Sequence, residues 1–160
     1  MKVLWAPWRM DYILSDKSSQ GCIFCELPKQ DTDRDNLILY RSSQTFVIMN
    51  RYPYNNGHVM VVPYSHIATL DSMDDDTMLD FMKMTKHAVR SIRNAFMPEG
   101  FNMGINIGKI AGAGMEEHLH LHIVPRWAGD TSFMTVFDEI RVTPEHVLST
   151  YDKLHAAFRS

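Results

Sequence analysis

The sequence predicts an α+β domain: an antiparallel five-stranded sheet with one long helix and a C-terminal helix. Three observations carry this reading. Five short strand-like runs occur, at 37–40, 45–50, 58–63, 101–107 and 118–124, and the last two alternate residue by residue. Between the third and fourth lies a long stretch whose apolar residues recur at spacings of three and four, the helical period. Turn residues separate the first three runs closely enough for a meander, and no repeat, linker or low-complexity segment interrupts the chain.

Taken in order, residues 1–20 form an arm with Trp5, Pro7, Trp8 and Tyr12, followed by a polar stretch. Two tryptophans ahead of the first regular element need a surface to cover, on their own domain or on a second subunit. After Cys22 and Cys25 a polar loop runs to Asn36, and the first two strands follow. The Tyr52-Pro53-Tyr54-Asn55-Asn56-Gly57 segment is a turn by its Pro, Asn and Gly content, and it delivers the third strand from His58. Ser72, with Asp75 three residues on, has the form of a capping box opening the long helix. Met78, Phe81, Met82, Thr85, Ala88, Val89, Ile92 and Phe96 make its buried stripe, His87 reads as a surface residue, and Pro98 and Gly100 end it. Phe101, Met103, Ile105 and Ile107 mark the fourth strand, which leads through a glycine-rich loop into the fifth. A loop rich in large side chains follows Pro125, and Thr143 with Pro144 at the first position starts the last helix. Its buried face is Val147, Leu148, Tyr151, Leu154 and Phe158.

Composition narrows the class. A chain of 160 residues, 45% hydrophobic and 22% charged, is ordinary for one soluble globular domain. With a net charge of −3 and no basic run, it lacks the footprint of a protein that tracks long nucleic acid. The N-terminus has no signal-peptide core and no stretch approaches the ~18 apolar residues of a membrane span, so a cytoplasmic protein is expected. Both cysteines lie in Cys22-Ile23-Phe24-Cys25, a spacing that favours metal or redox chemistry over a structural disulfide. No βαβ pattern surrounds it, which argues against a thioredoxin-like motif.

The chemistry concentrates at His118-Leu119-His120-Leu121-His122. On a strand, His118, His120 and His122 share one face while the aliphatics between them enter the core. Three imidazoles in a row build a half-buried sheet poorly, because every ring nitrogen needs a partner. Just upstream, four of the eight glycines fall at 104, 108, 112 and 114, offering bare backbone N–H groups beside the imidazoles. That pairing suits a phosphate-bearing substrate attacked by a histidine nitrogen. Imidazole, with an ordinary pKa of ~6.5, is largely unprotonated at neutral pH and nucleophilic.

These residues resemble the signature of the histidine triad (HIT) family of nucleotide hydrolases and transferases. The match includes Asn56-Gly57-His58 with the strand behind it and Asn106-Ile107-Gly108, and covers residues 22–130 as a family core. Residues 1–20 then form the arm and 131–160 a C-terminal extension of a single domain. Trp5-Ala6-Pro7-Trp8-Arg9 and the stretch from Val124 to Asp130 look more specifically like the diadenosine-tetraphosphate phosphorylase branch. The resemblance implies a HIT-like fold, a homodimer, and a nucleotide substrate split through a nucleotidyl-histidine on His120, with inorganic phosphate or water as acceptor. It implies His118 and His122 as catalytic partners, with His122 bonding phosphate oxygens or fixing the attacking tautomer. His58 becomes a supporting partner. Asn50 and Asn106 match positions that contact the ribose and the phosphate region, and Gly112 and Gly114 belong to the loop whose amides would stabilise phosphoryl charge. Arg126, with Trp127 beside it, is a candidate to bind the accepting phosphate. Cys22, Cys25, His66 and His118 match positions that bind zinc in some relatives, a structural site away from the chemistry. The chain departs from the pattern before the first triad histidine, where relatives often carry Gln, Ser or Thr and this chain has Met115, Glu116 and Glu117.

Two other readings stay open at this level. The substrate could be a nucleoside phosphoramidate or another AMP conjugate. In a different class, the three strand histidines could hold a transition metal in a non-enzymatic protein, since imidazole suits Zn, Cu, Fe and Ni. The glycine loop and Asn106 speak against the latter, because a metal cage needs no phosphate cradle.

Overall fold

A computed structural model describes residues 21–130 and 145–160. It shows α1 (Ile23–Glu26), α2 (Asp33–Asn36), β1 (Ile38–Arg41), β2 (Thr45–Met49), β3 (Val59–Pro63), α3 (Asp75–Phe96), β4 (Gly100–Ile105), β5 (Leu121–Arg126) and α4 (Val147–Arg159). The sheet order is β1-β2-β3-β5-β4, with antiparallel pairing throughout. The predicted α+β class and five-stranded sheet are therefore what the chain adopts. The first three strands form the expected meander; α3 then crosses over, so that β4 takes the edge and β5 returns between it and β3.

Packing follows the hydrophobic pattern. α3 lies on β2 and β3, and α4 packs on α3 and β1. Phe81, Ala88 and Ile92 from α3 join Val47, Val59, Val61 and Ile123 in a core from which water is excluded. The Tyr151 hydroxyl donates to the Ile38 carbonyl at 2.9 Å, stitching α4 to β1. No helix among the described residues is long and apolar enough to cross a membrane.

Several boundaries differ from expectation. The α3 cap is Asp74, not Ser72: its carboxylate accepts from the Thr77 N–H at 2.9 Å and from the Thr77 hydroxyl at 2.8 Å. Ser72 instead sits in a short 3-10 turn, within hydrogen-bonding distance of Thr69. Met82 is exposed, and Met84 packs against the core in its place. His87 is half-buried, its Nε2 bonded to the Phe158 carbonyl, because α4 covers that side of α3. The last helix begins at Val147 with His146 as its cap. The arm with Trp5 and Trp8, and the expected start at Thr143 and Pro144, lie outside the described residues.

The difference that matters for function is at the triad. β5 starts at Leu121, so His118 and His120 precede the ladder and only His122 lies within it. The reason lies in the partner strand. The β3–β5 pairing ends at Val61 with Leu121; the Pro63 beyond has no N–H to offer, and its carbonyl is taken by the His118 ring. The Leu119 N–H turns to the Ile67 carbonyl at 2.7 Å instead. Leu119, Leu121 and Ile123 are nonetheless buried, as alternation predicts.

Candidate active site

Each imidazole of the site is oriented by a partner whose hydrogen-bonding role is fixed. A carbonyl can only accept, so the 2.8 Å contact from His118 Nε2 to the Pro63 carbonyl places a proton on Nε2. By the same reasoning, the 2.8 Å contact of His120 Nδ1 with the His118 carbonyl places the His120 proton on Nδ1. Nε2 of His120 then carries an in-plane lone pair. The backbone N–H of Tyr54 donates to His58 Nδ1 at 3.1 Å, which leaves the His58 proton on Nε2. His58 Nε2 in turn meets His122 Nδ1 at 2.9 Å, and it must donate there. A neutral His122 therefore holds its proton on Nε2.

The result is a complementary pair: a lone pair on His120 and an N–H on His122, from rings 4.8 Å apart and 76° inclined. Burial pushes the pKa of His120 below its ordinary value, against the pull of the His118 carbonyl. Burial and then the charge of His120 bring His122 down to about 4. Both rings are thus neutral at pH 7, as a lone-pair nucleophile and a neutral donor require. The His118 carbonyl, not His122, holds the His120 tautomer, and His122 Nε2–H is free of that task.

His58 is fully buried. It is delivered by the turn at Gly57, whose φ is +75° and where a Cβ would meet the Phe96 ring at 3.2 Å and Pro125 at 3.3 Å. Only glycine suits that position. Tyr54 covers the pair, stacking on His58 at 4.9 Å and lying 5.9 Å from the His122 ring. Asn50 accepts from the Tyr52 N–H at 2.9 Å through its side-chain oxygen, bracing the start of this turn.

On the other side of His122, the cross-strand partner on the same face is Gly104, where a Cβ would meet nothing within 4 Å. Asn106 is half-buried and follows directly on the last residue of β4. The loop beyond turns through Gly108 (φ +80°) and Gly112 (φ +84°). The Gly112 amide closes the 3-10 turn on the Lys109 carbonyl at 3.0 Å, so it is engaged within the loop; Gly114 is exposed. Glu116 and Glu117 both face solvent, while Met115 packs inward.

Arg126 occupies a different setting from the one anticipated. Its Nε and Nη2 donate to the two Asp130 oxygens at 2.6 and 2.9 Å, and Nη1 donates to Asn102 at 2.7 Å. The Asp130 side chain, 8% exposed, also accepts from Asn55 and from the Trp127 N–H. At four residues past His122, Arg126 stands about 13 Å along the strand. It clamps the Asn55 turn and the end of β5 with its charge already compensated. Trp127 is half-buried with its indole N–H on the Phe96 carbonyl. The warning in the sequence was Asp130, a carboxylate shortly after the arginine.

A second cluster adjoins the first. Ligand atoms of Cys22, Cys25, His66 and His118 all lie within 4.8 Å of one another. Cys22 Sγ is 3.2 Å from His118 Nδ1, and Cys25 Sγ is 3.3 Å from His66 Nδ1 and 3.5 Å from His118 Nδ1. A tetrahedral zinc with bonds of ~2.0–2.3 Å sets neighbouring ligands about 3.3–3.8 Å apart, so the four donors fit such an ion. The Pro63 carbonyl holds the His118 ring with the Nδ1 lone pair turned to the thiols, the usual outer-shell support of a ligating histidine. Burial and then the adjacent Cys22 push the Cys25 thiol pKa up, and a shared cation would relieve both effects. Sequence reasoning missed Phe24, between the two cysteines, and Tyr54; the one signal for each was an aromatic side chain inside a motif.

A sheet that ends in three tautomer-locked histidines beside a glycine-bordered face defines the histidine triad class. The chain belongs to the HIT-domain family, whose model matches residues 31–129. It is 38% identical over 155 residues to an AP-4-A phosphorylase of Mycobacterium tuberculosis, covering 92% of this chain and 79% of that one. Among solved structures it resembles a zinc-bound histidine triad family protein from Mycobacterium smegmatis, with a TM-score of 0.70 and 28% identity over 87% of this chain and 94% of that one. A histidine triad nucleotide-binding protein from Sulfolobus tokodaii matches with a TM-score of 0.67 and 28% identity, covering 86% and 89%. Fold, motif and relatives together make this chain a HIT-family enzyme.

Proposed function

We propose that the protein is a cytoplasmic dinucleoside polyphosphate phosphorylase acting through a covalent nucleotidyl-histidine. One observation carries the chemistry: His120 Nε2 is the triad nitrogen left with a lone pair that no backbone group, thiol or neighbouring imidazole claims. Attack by that nitrogen on the α-phosphorus of diadenosine tetraphosphate forms a P–N bond and breaks the P–O bond to the leaving group, expelling ATP. The substituted imidazole becomes cationic, and the His118 carbonyl at Nδ1 stabilises it. His122 Nε2–H donates to a phosphoryl oxygen as charge builds there. Inorganic phosphate then takes AMP from His120, giving ADP.

The branch-like segments and the 38% identity to an AP-4-A phosphorylase support phosphate over water as acceptor. Arg126, held by Asp130, is withdrawn from this role, and Glu116 and Glu117 face solvent, where they weigh little against a free phosphate. Incubation with diadenosine tetraphosphate in phosphate buffer should yield ADP and ATP. AMP with ATP, independent of phosphate, would make the enzyme a hydrolase; turnover of phosphoramidates alone would favour the other substrate class.

Two further features complete the proposal. The quartet of Cys22, Cys25, His66 and His118 holds a structural zinc that ties α1 and the segment after β3 to the triad, and it supplies no chemistry to the substrate. The enzyme is a homodimer: β4 is an edge strand with Met103 exposed, beside a hollow lined by Met82, Val89 and Arg93 on α3. Among the described residues nothing pairs with the outer side of β4, and an edge with apolar side chains calls for a partner. Light scattering should give twice the 18.5 kDa chain mass at micromolar concentration, and a monomer there would refute the dimer.

A further inference from the structure

We propose that Phe24 is a positioning residue for the nucleophile: its ring, held between the two cysteines, walls the His120 imidazole and fixes the ring plane. The inference rests on His120 being the attacking residue.

α1 is only four residues long, yet it buries Phe24 to 3% exposure while its neighbour Ile23 stays 41% exposed. The burial is directed at the triad. The Phe24 ring lies 5.5 Å from the His118 ring at 70° and 5.0 Å from the His120 ring at 48°. His120 is tied at Nδ1 to the His118 carbonyl, a bond at one corner of the ring. One such bond sets the tautomer but lets the imidazole tip about it, swinging Nε2 through an arc. Ring contacts restrict that freedom, and among the described residues Phe24, tilted at 48°, and His122, edge-on at 76°, supply them. A hydrocarbon ring suits this place because it offers no donor to consume the Nε2 lone pair. Misplacement of a reacting atom by about 1 Å costs up to ~10²-fold in rate, so a loosened His120 should be visible in kcat.

Cys22 and Cys25 flank Phe24 in sequence and both reach His118, so the cysteine knuckle sets where the ring sits. The metal quartet and the nucleophile would thus be joined by two routes, the His118 main chain and the Phe24 side chain.

The test compares wild type, Phe24→Leu and Phe24→Met for steady-state turnover of diadenosine tetraphosphate, single-turnover adduct formation and zinc content. Both variants keep an apolar side chain but lose the rigid aromatic ring. The expected result is a kcat lower by about tenfold, a matching fall in the adduct rate, KM within about twofold, and unchanged zinc. Wild-type kcat in a zinc-replete variant would overturn the proposal. Zinc loss in both variants would also overturn it, because Phe24 would then serve the metal site rather than the nucleophile. Failure of wild type itself to form an adduct would instead strike at His120, keeping the two ideas separable.

Discussion

His120→Ala should abolish turnover, with kcat reduced on the order of 10⁴-fold or more, while nucleotide binding stays largely intact. The size of the effect follows from the neighbours. His122 presents an N–H where His120 presents a lone pair, because His58 already donates to its other nitrogen. His118 has its Nε2 proton on the Pro63 carbonyl and its Nδ1 among the thiols. Neither can substitute as nucleophile without breaking the bonds that orient it. Binding should survive because His122 and the open face beside Gly104 remain. His120→Gly with added imidazole should recover part of the rate, since the missing group is then supplied in the same protonation state. Near-normal turnover by His120→Ala would show that the mechanism is wrong.

The second large effect concerns stability. Cys22→Ser should remove the zinc and lower Tm by roughly 10 °C. A zinc on the quartet would cross-link three segments distant in sequence, through Cys22 and Cys25, His66, and His118. The sheet core does not depend on it, so the chain should still fold, unlike small metal-dependent domains. Activity per folded molecule should fall far less than in His120→Ala, because the Pro63 carbonyl still anchors His118. A chelator should reproduce the Tm shift in wild type and add nothing in the variant. Wild-type protein that carries no zinc, or a variant that melts with it, would remove the metal from the account.

How far the sequence discloses this molecule depends on the range of the interaction involved. Alternation and helical spacing report local geometry, so the sheet, α3 and the burial of Leu119, Leu121 and Ile123 were all legible. The cap at Asp74 was one of several carboxylates in a row, and pattern alone favoured the serine. The tautomers were not legible at all. They are set by the Pro63 carbonyl, the His118 carbonyl and the Tyr54 amide, which depend on where strands stop rather than on residue type. Arg126 looked like a phosphate ligand because a free guanidinium is one; the fold closes Asp130 onto it. The Cys22 and Cys25 pair displayed half a metal site, and the other half became visible through family resemblance and then geometry.

The central claim is that His120 Nε2 carries the nucleotidyl group during turnover. It is tested most directly by mixing enzyme with diadenosine tetraphosphate in phosphate-free buffer, quenching in mild alkali where a P–N bond survives, and mapping the adduct by mass spectrometry. The account predicts a mass increase of one AMP group on the peptide containing His120, discharged as ADP when phosphate is added before the quench. An adduct on another residue, or rapid wild-type turnover with no adduct at any time, would contradict it.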